Sequence, residues 1–148
     1  MRRLQGTSTR TPSHVTCSMP DETCVIDSFA WLEYFLGSTA GARAMPFIES
    51  SKAITPTIVI AELSQKYRRE KLAFDEDLDF IAAKTRVVSL DTKIAERAGA
   101  LSHERKRKVK RWSLADSIVL ATAREHKAKI VTGDEHFRDL VDEAIMIK

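Results

Sequence analysis

The sequence predicts an α/β protein: a three-layer α/β/α sandwich on a five-stranded, mainly parallel sheet. Three observations carry the prediction. From Thr23 onward, apolar runs too short for a stable helix alternate with longer amphipathic stretches. Parallel neighbours need crossover connections, which this alternation supplies, and a sheet so connected needs cover on both faces. The length of 148 residues, with 43% hydrophobic and 30% charged, suits one globular domain and excludes a collagen-like repeat or a disulfide scaffold.

The elements follow in order. The first twenty residues carry Arg2, Arg3 and Arg10 without an acid, are rich in Ser, Thr and Pro, and offer no periodic apolar face. Residues 1–22 are therefore read as a flexible basic tail and residues 23–148 as the folded domain. Cys24-Val25-Ile26 reads as the first buried strand, followed by strands at 53–54, 87–88, 130–131 and 144–147. Helices are expected over 29–36, 42–48, 58–67, 74–83, 94–101 and 114–123. Phe74, Leu78 and Ile81 fall at i, i+4, i+7, as do Ile94, Ala98 and Leu101, and each set makes one core-facing stripe. Thr55-Pro56 predicts a hydroxyl N-cap with proline at N1, and Asp91 a cap for the fifth helix.

Composition narrows the function classes. No run of about 18 apolar residues exists, which excludes a membrane-spanning helix. Cys17 and Cys24 have no Cys or His partners at ligand spacing, which argues against a structural zinc site and for a reducing, cytoplasmic setting. Charge is unevenly placed. Residues 103–112 (HERKRKVKRW) set six cations, Arg105, Lys106, Arg107, Lys108, Lys110 and Arg111, against Glu104. A concentrated basic run suits a polyanion, although a solvated helix end explains it as well.

In a parallel sheet the ligand crevice lies beyond the carboxyl ends of the strands. Asp27 ends the first strand run and Asp134 follows the fourth, with Gly133 read as allowing the chain to turn there. Glu62 falls in the second turn of the helix leaving the second strand, and Asp116 in the first turn of the helix entering the fourth. Each acid also has a structural explanation. Asp27 and Asp134 fit N-caps, Asp116 stands three residues after Ser113 as in a capping box, and Glu62 can pair with Lys66 at i+4. Glu62 and Asp116 nevertheless interrupt apolar stretches, where a carboxylate is costly unless exposed, paired or bound to a cation. Four converging acids would repel one another, and a hard divalent cation removes that penalty.

On these residues the chain resembles the PIN-domain ribonucleases, and within them the VapC-like toxins of toxin–antitoxin pairs. The resemblance runs from about Cys24 to Ile147. Its anchors are Val25-Ile26-Asp27-Ser28, the stretch from Thr57 to Leu63 around Glu62, that from Ser113 to Ala123 around Asp116, and that from Ile130 to Phe137 around Asp134. It implies that Asp27, Glu62, Asp116 and Asp134 hold Mg2+ or Mn2+, with Thr132 and Ser28 orienting the carboxylates or a bound water. It implies hydrolysis of single-stranded RNA to a 5′-phosphate and a 3′-hydroxyl, a cognate antitoxin as partner, and a homodimer for which Trp31, Tyr34 and Phe35 are candidates. Many relatives carry a second acid two residues after the last aspartate, where this chain has His136, read here as a surface residue. The run from Arg105 to Arg111 would lie beside the mouth and draw in the strand. Trp112 fits base stacking or, more ordinarily, packing.

Two other classes compete. A haloacid-dehalogenase-like phosphatase also places an aspartate after its first strand but wants another two residues on, where this chain has Phe29. A non-catalytic RNA-binding module would keep the fold with the acids as caps. Within the nuclease class, a housekeeping RNA-processing enzyme is the alternative to a toxin.

Overall fold

A computed structural model describes residues 21–148. The predicted tail therefore lies, up to residue 20, outside the described residues, as does Cys17. Asp21 and Glu22 are exposed and pair with Lys52 and Lys129.

The chain runs β1 (Cys24–Ile26), α1 (Ser28–Leu36), α2 (Thr39–Ile48), β2 (Ala53–Pro56), α3 (Thr57–Arg69), α4 (Asp75–Lys84), β3 (Arg86–Val88), α5 (Thr92–Arg105), α6 (Leu114–Glu125), β4 (Lys129–Thr132), a 3-10 turn (Glu135–Phe137) and β5 (Ala144–Met146). The strands form one sheet in the order β3-β2-β1-β4-β5, and every pairing is parallel. The chain steps outward from β1 through β2 to β3, then returns to β4 on the other side of β1. The order thus reverses between β1 and β4, and their carboxyl ends flank the crevice that such a reversal opens.

Burial explains why these short runs are strands. All three residues of β1 and three of the four in β4 are buried, as expected for strands covered on both faces. The main core joins Val25, Ile26, Trp31, Ile54, Leu63, Ile81, Leu120, Ile130 and Phe137, and Ile94, Ala98, Ile118 and Ala121 form a second cluster where α5 packs on α6. Ala98 and Ile94 are the predicted stripe of α5. Residues 116–123 of α6 are buried without interruption, so this helix is central, as its nearly all-apolar sequence suggested.

Two local expectations fail. Thr55 does not cap α3: Thr55 and Pro56 belong to β2, the N-cap is Pro56, and no side-chain cap bond forms. The Thr55 hydroxyl instead accepts from Trp31 Nε1 at 3.2 Å and bonds the Thr85 hydroxyl at 2.7 Å, tying β2 to α1 and to the entry of β3. Trp31 cannot serve a dimer surface, because it is 0% exposed and its ring stacks on Phe35 at 5.4 Å. Tyr34 and Phe35 join Trp31 and Phe80 in the same aromatic cluster. The exposed apolar residue of α1 is its last, Leu36. Asp91 does cap α5, accepting from Ile94 N–H at 2.8 Å. No helix of the described residues is long and apolar enough to cross a membrane.

Candidate metal centre

Asp27 occupies the N-cap position of α1, yet its side chain makes no cap bond. Its Oδ2 accepts instead from the Thr132 hydroxyl of β4 at 2.8 Å, and the same hydroxyl accepts from Asp134 N–H at 3.0 Å. Thr132 thus clasps the ends of the two strands that flank the crevice. Asp134 accepts from His136 N–H at 2.9 Å, which fixes the turn after β4.

Gly133 is needed for space. Its φ is not positive, but a Cβ there would meet the Phe29 ring at 2.3 Å. The sequence suggested a turning residue, whereas the structure requires close approach between this turn and α1.

Asp116 opens α6 in a complete capping box: its N–H donates to Ser113 Oγ at 3.0 Å, and its Oδ2 accepts from Ser113 N–H at 3.1 Å. The cap aims the carboxylate as well as closing the helix, since the same Oδ2 lies 2.9 Å from His136 Nδ1. Glu62 does not pair with Lys66, which binds Glu70 at 2.8 Å. It receives a hydrogen bond from the Ser28 side chain and feels the charges of Asp27, Asp116 and Asp134.

Asp116 and Asp134 thus meet at His136, Asp27 is joined to Asp134 through Thr132, and Glu62 stands near enough to feel all three charges. Burial, opposed by hydrogen bonds from Thr132 and Ser28 and reinforced by the charges of Asp116 and Asp134, pushes the Asp27 carboxyl up to about 6. Burial and the charge of Asp27 push Glu62 up to about 7. Asp27 is 5% exposed and Asp116 9%. Among the described residues no lysine or arginine forms a salt bridge with any of the four. Buried carboxylates without a lysine or arginine partner suit a cation with oxygen ligands.

His136 belongs to this site and is not a detached surface residue. Its Nδ1 lies 2.9 Å from Asp116 Oδ2 and 3.5 Å from Asp134 Oδ1, and one donor atom from each of the three residues lies within 4.8 Å of the others. The only sequence signal for it was its spacing two residues after Asp134.

The basic run divides. Arg105 is 6% exposed and folded inward: its two Nη atoms donate to the Asp139 carboxylate at 2.9 and 3.1 Å, Nη2 also donates to the His136 carbonyl at 3.3 Å, and the guanidinium lies 4.2 Å over the Trp112 ring. A guanidinium so engaged has no free face for phosphate, which corrects its assignment as an RNA contact. Trp112 is 3% exposed and donates to Ser117 Oγ at 2.6 Å, so it packs and does not stack a base. Lys106, Arg107, Lys108, Lys110 and Arg111 are exposed. Both flanks of their loop, Arg105 and Trp112, touch the 134–137 turn, so the loop borders the acidic site.

The model of the PIN domain family matches residues 24–143. Among curated proteins no sequence match is found. Solved structures with a similar fold include a toxin–antitoxin complex from Klebsiella pneumoniae, with a TM-score of 0.68 and 19% identity over 84% of this chain and 98% of that one. VapC20 of Mycobacterium tuberculosis, a toxin that cleaves the sarcin–ricin loop, gives 0.64 and 16% over 79% and 94%. VapBC2 of Rickettsia felis, bound to a promoter DNA fragment, gives 0.63 and 16% over 83% and 96%.

Proposed function

The chain belongs to the PIN-domain family, and from that premise we propose that it is a divalent-metal-dependent endoribonuclease, the toxin of a type II toxin–antitoxin pair. The observation that carries the reading is the gathering of Asp27, Glu62, Asp116 and Asp134 at the β1/β4 crevice with, among the described residues, no lysine or arginine paired to any of them.

In this reading the four carboxylates hold Mg2+ or Mn2+. When bound, the ion supplies Lewis-acid polarisation of the phosphodiester and acidifies the attacking water. The protein's own residues do the positioning. Thr132 fixes Asp27 and the Asp134 backbone, Ser28 restrains Glu62, and the capping box orients Asp116. Lys106, Arg107, Lys108, Lys110 and Arg111 attract single-stranded RNA along the rim. Water adds to phosphorus, the bond to the 3′ oxygen breaks, and that oxygen takes a proton, leaving a 5′-phosphate and a 3′-hydroxyl.

An antitoxin partner is supported by a cavity of about 910 Å3 beside α1, α3 and α4. Leu32, Phe35 and Tyr67 line it with Leu36 and Leu72 exposed at its rim, and Glu33, Asp75, Glu76 and Asp77 add acids beside the Lys66–Glu70 pair. Such a groove suits an amphipathic helix with Lys or Arg on its flank. The homodimer is part of the same proposal and is read by light scattering.

The test is cleavage of unstructured RNA by the purified chain with Mg2+ or Mn2+, with EDTA, and with Asp116→Asn, which keeps an acceptor for the Ser113 N–H and so the helix cap. Metal-dependent cleavage that the substitution abolishes supports the proposal. Absence of cleavage with either ion, or cleavage undiminished in Asp116→Asn, overturns it.

A further inference from the structure

We infer that His136 is a nitrogen ligand of the divalent ion, so that the site favours a first-row transition ion such as Mn2+ over Mg2+. The inference rests on the metal-dependent reading above and concerns which ion that site takes.

The donor atoms are spaced for a single ion. His136 Nδ1 stands 2.9 Å from Asp116 Oδ2 and 3.5 Å from Asp134 Oδ1. Donors about 2.1 Å from one ion stand about 3.0 Å apart at octahedral angles and about 3.4 Å apart at tetrahedral ones. The imidazole nitrogen is therefore placed as one more donor in the sphere that the two carboxylates would share. Without an ion, Nδ1–H donates to Asp116 Oδ2; in the other tautomer, with the proton on Nε2, the same position offers its lone pair to an ion held by the two carboxylates.

The ring is also firmly presented. The His136 backbone is held on both sides, its N–H donating to Asp134 Oδ1 at 2.9 Å and its carbonyl accepting from Arg105 at 3.3 Å. Arg105 is anchored in turn by Asp139 and covers Trp112, whose ring centroid is 6.5 Å from that of the imidazole. A ring delivered from a turn fastened in this way reaches Asp116 without ordering a mobile segment, and such outer supports tune ligand and metal alike.

The chemistry follows from the donor set. Mg2+ is hard and takes oxygen, whereas imidazole suits ions further along the first transition row. An acid at position 136 would give an all-oxygen sphere. Histidine there moves the preference away from Mg2+ and toward first-row transition ions, least for Mn2+ and more for its heavier neighbours.

Two measurements test this on the full chain. Pulsed electron paramagnetic resonance of the Mn2+-loaded protein is expected to show 14N modulation from a coordinated imidazole, absent in His136→Ala. Calorimetric titration with Mn2+ and Mg2+ separately is expected to show the preference for Mn2+ falling about tenfold in His136→Asp. The side chain is 26% exposed, so both variants are compatible with the fold, and their thermal melts verify it. Mn2+ bound by the wild type without 14N modulation, or with modulation and ion preference unchanged in the variants, overturns the inference and leaves the nuclease reading standing. Failure of the wild type to bind Mn2+ at all overturns both.

Discussion

Replacing Asp27 by Asn should stabilise the metal-free protein at neutral pH while removing a metal ligand. Burial holds the Asp27 carboxyl at about 6 against an ordinary 3.8. Each tenfold change in proton affinity corresponds to about 1.4 kcal/mol, so the ionised group is about 3 kcal/mol less favourable in the folded chain than in water. Asparagine keeps an oxygen to accept from Thr132 and Ser28, and its amide can donate to the Asp116 or Asp134 carboxylate. Burying that amide takes back part of the gain, about 1–2 kcal/mol. The net expectation is a stabilisation of about 1–2 kcal/mol at pH 8. The sign depends on pH. A carboxyl whose folded pKa is raised favours folding fully below its unfolded value near 4 and loses that contribution as pH rises through about 6. The advantage of Asp27→Asn should thus vanish by about pH 4.5. Urea unfolding of metal-stripped protein at the two pH values measures it. A variant less stable than the wild type at pH 8, or equally stabilised at both, would refute the claim that Asp27 is a strained carboxylate awaiting a cation.

Other outcomes follow from the same geometry. Arg105→Gln removes the clamp on Asp139 and on the His136 carbonyl; it should cost about 1–3 kcal/mol in a thermal melt and weaken Mn2+ binding about tenfold by calorimetry. Thr55→Val orphans the buried Trp31 indole N–H and should cost about 1–3 kcal/mol in urea unfolding, with Mn2+ affinity unchanged. Neutralising Lys106, Arg107, Lys108, Lys110 and Arg111 together should weaken binding to single-stranded RNA. It should also flatten the salt dependence of that binding by about 0.7 for each phosphate no longer neutralised, as read by fluorescence anisotropy.

Much of the fold was legible because periodicity is a local signal. The five strands and six helices appear near their expected positions, and the reversal of strand order puts Asp27 and Asp134 at facing carboxyl ends. Sequence could place those two acids because strand ends are readable, and could flag Glu62 and Asp116 because each interrupts an apolar run. Contacts fixed only by tertiary packing were not legible. Thr55 looks like a cap beside proline, but the Trp31 indole and the Thr85 hydroxyl hold it in the sheet. Arg105 reads as one cation in a basic run, and only the fold brings Asp139 and Trp112 around it. Gly133 reads as a turn, whereas the approach of Phe29 is what excludes a side chain. His136 follows the same pattern: its role depends on Asp116, twenty residues away in sequence, being brought to its ring by the start of α6.

Anomalous diffraction at the manganese edge, from crystals grown or soaked in Mn2+, asks whether the acidic crevice takes up a cation. A peak is expected among the carboxylates of Asp27, Glu62, Asp116 and Asp134, and it should vanish in crystals of Asp116→Asn. Full-occupancy manganese elsewhere on the chain, with those four carboxylates touching only water and protein, would contradict a metal centre at this site.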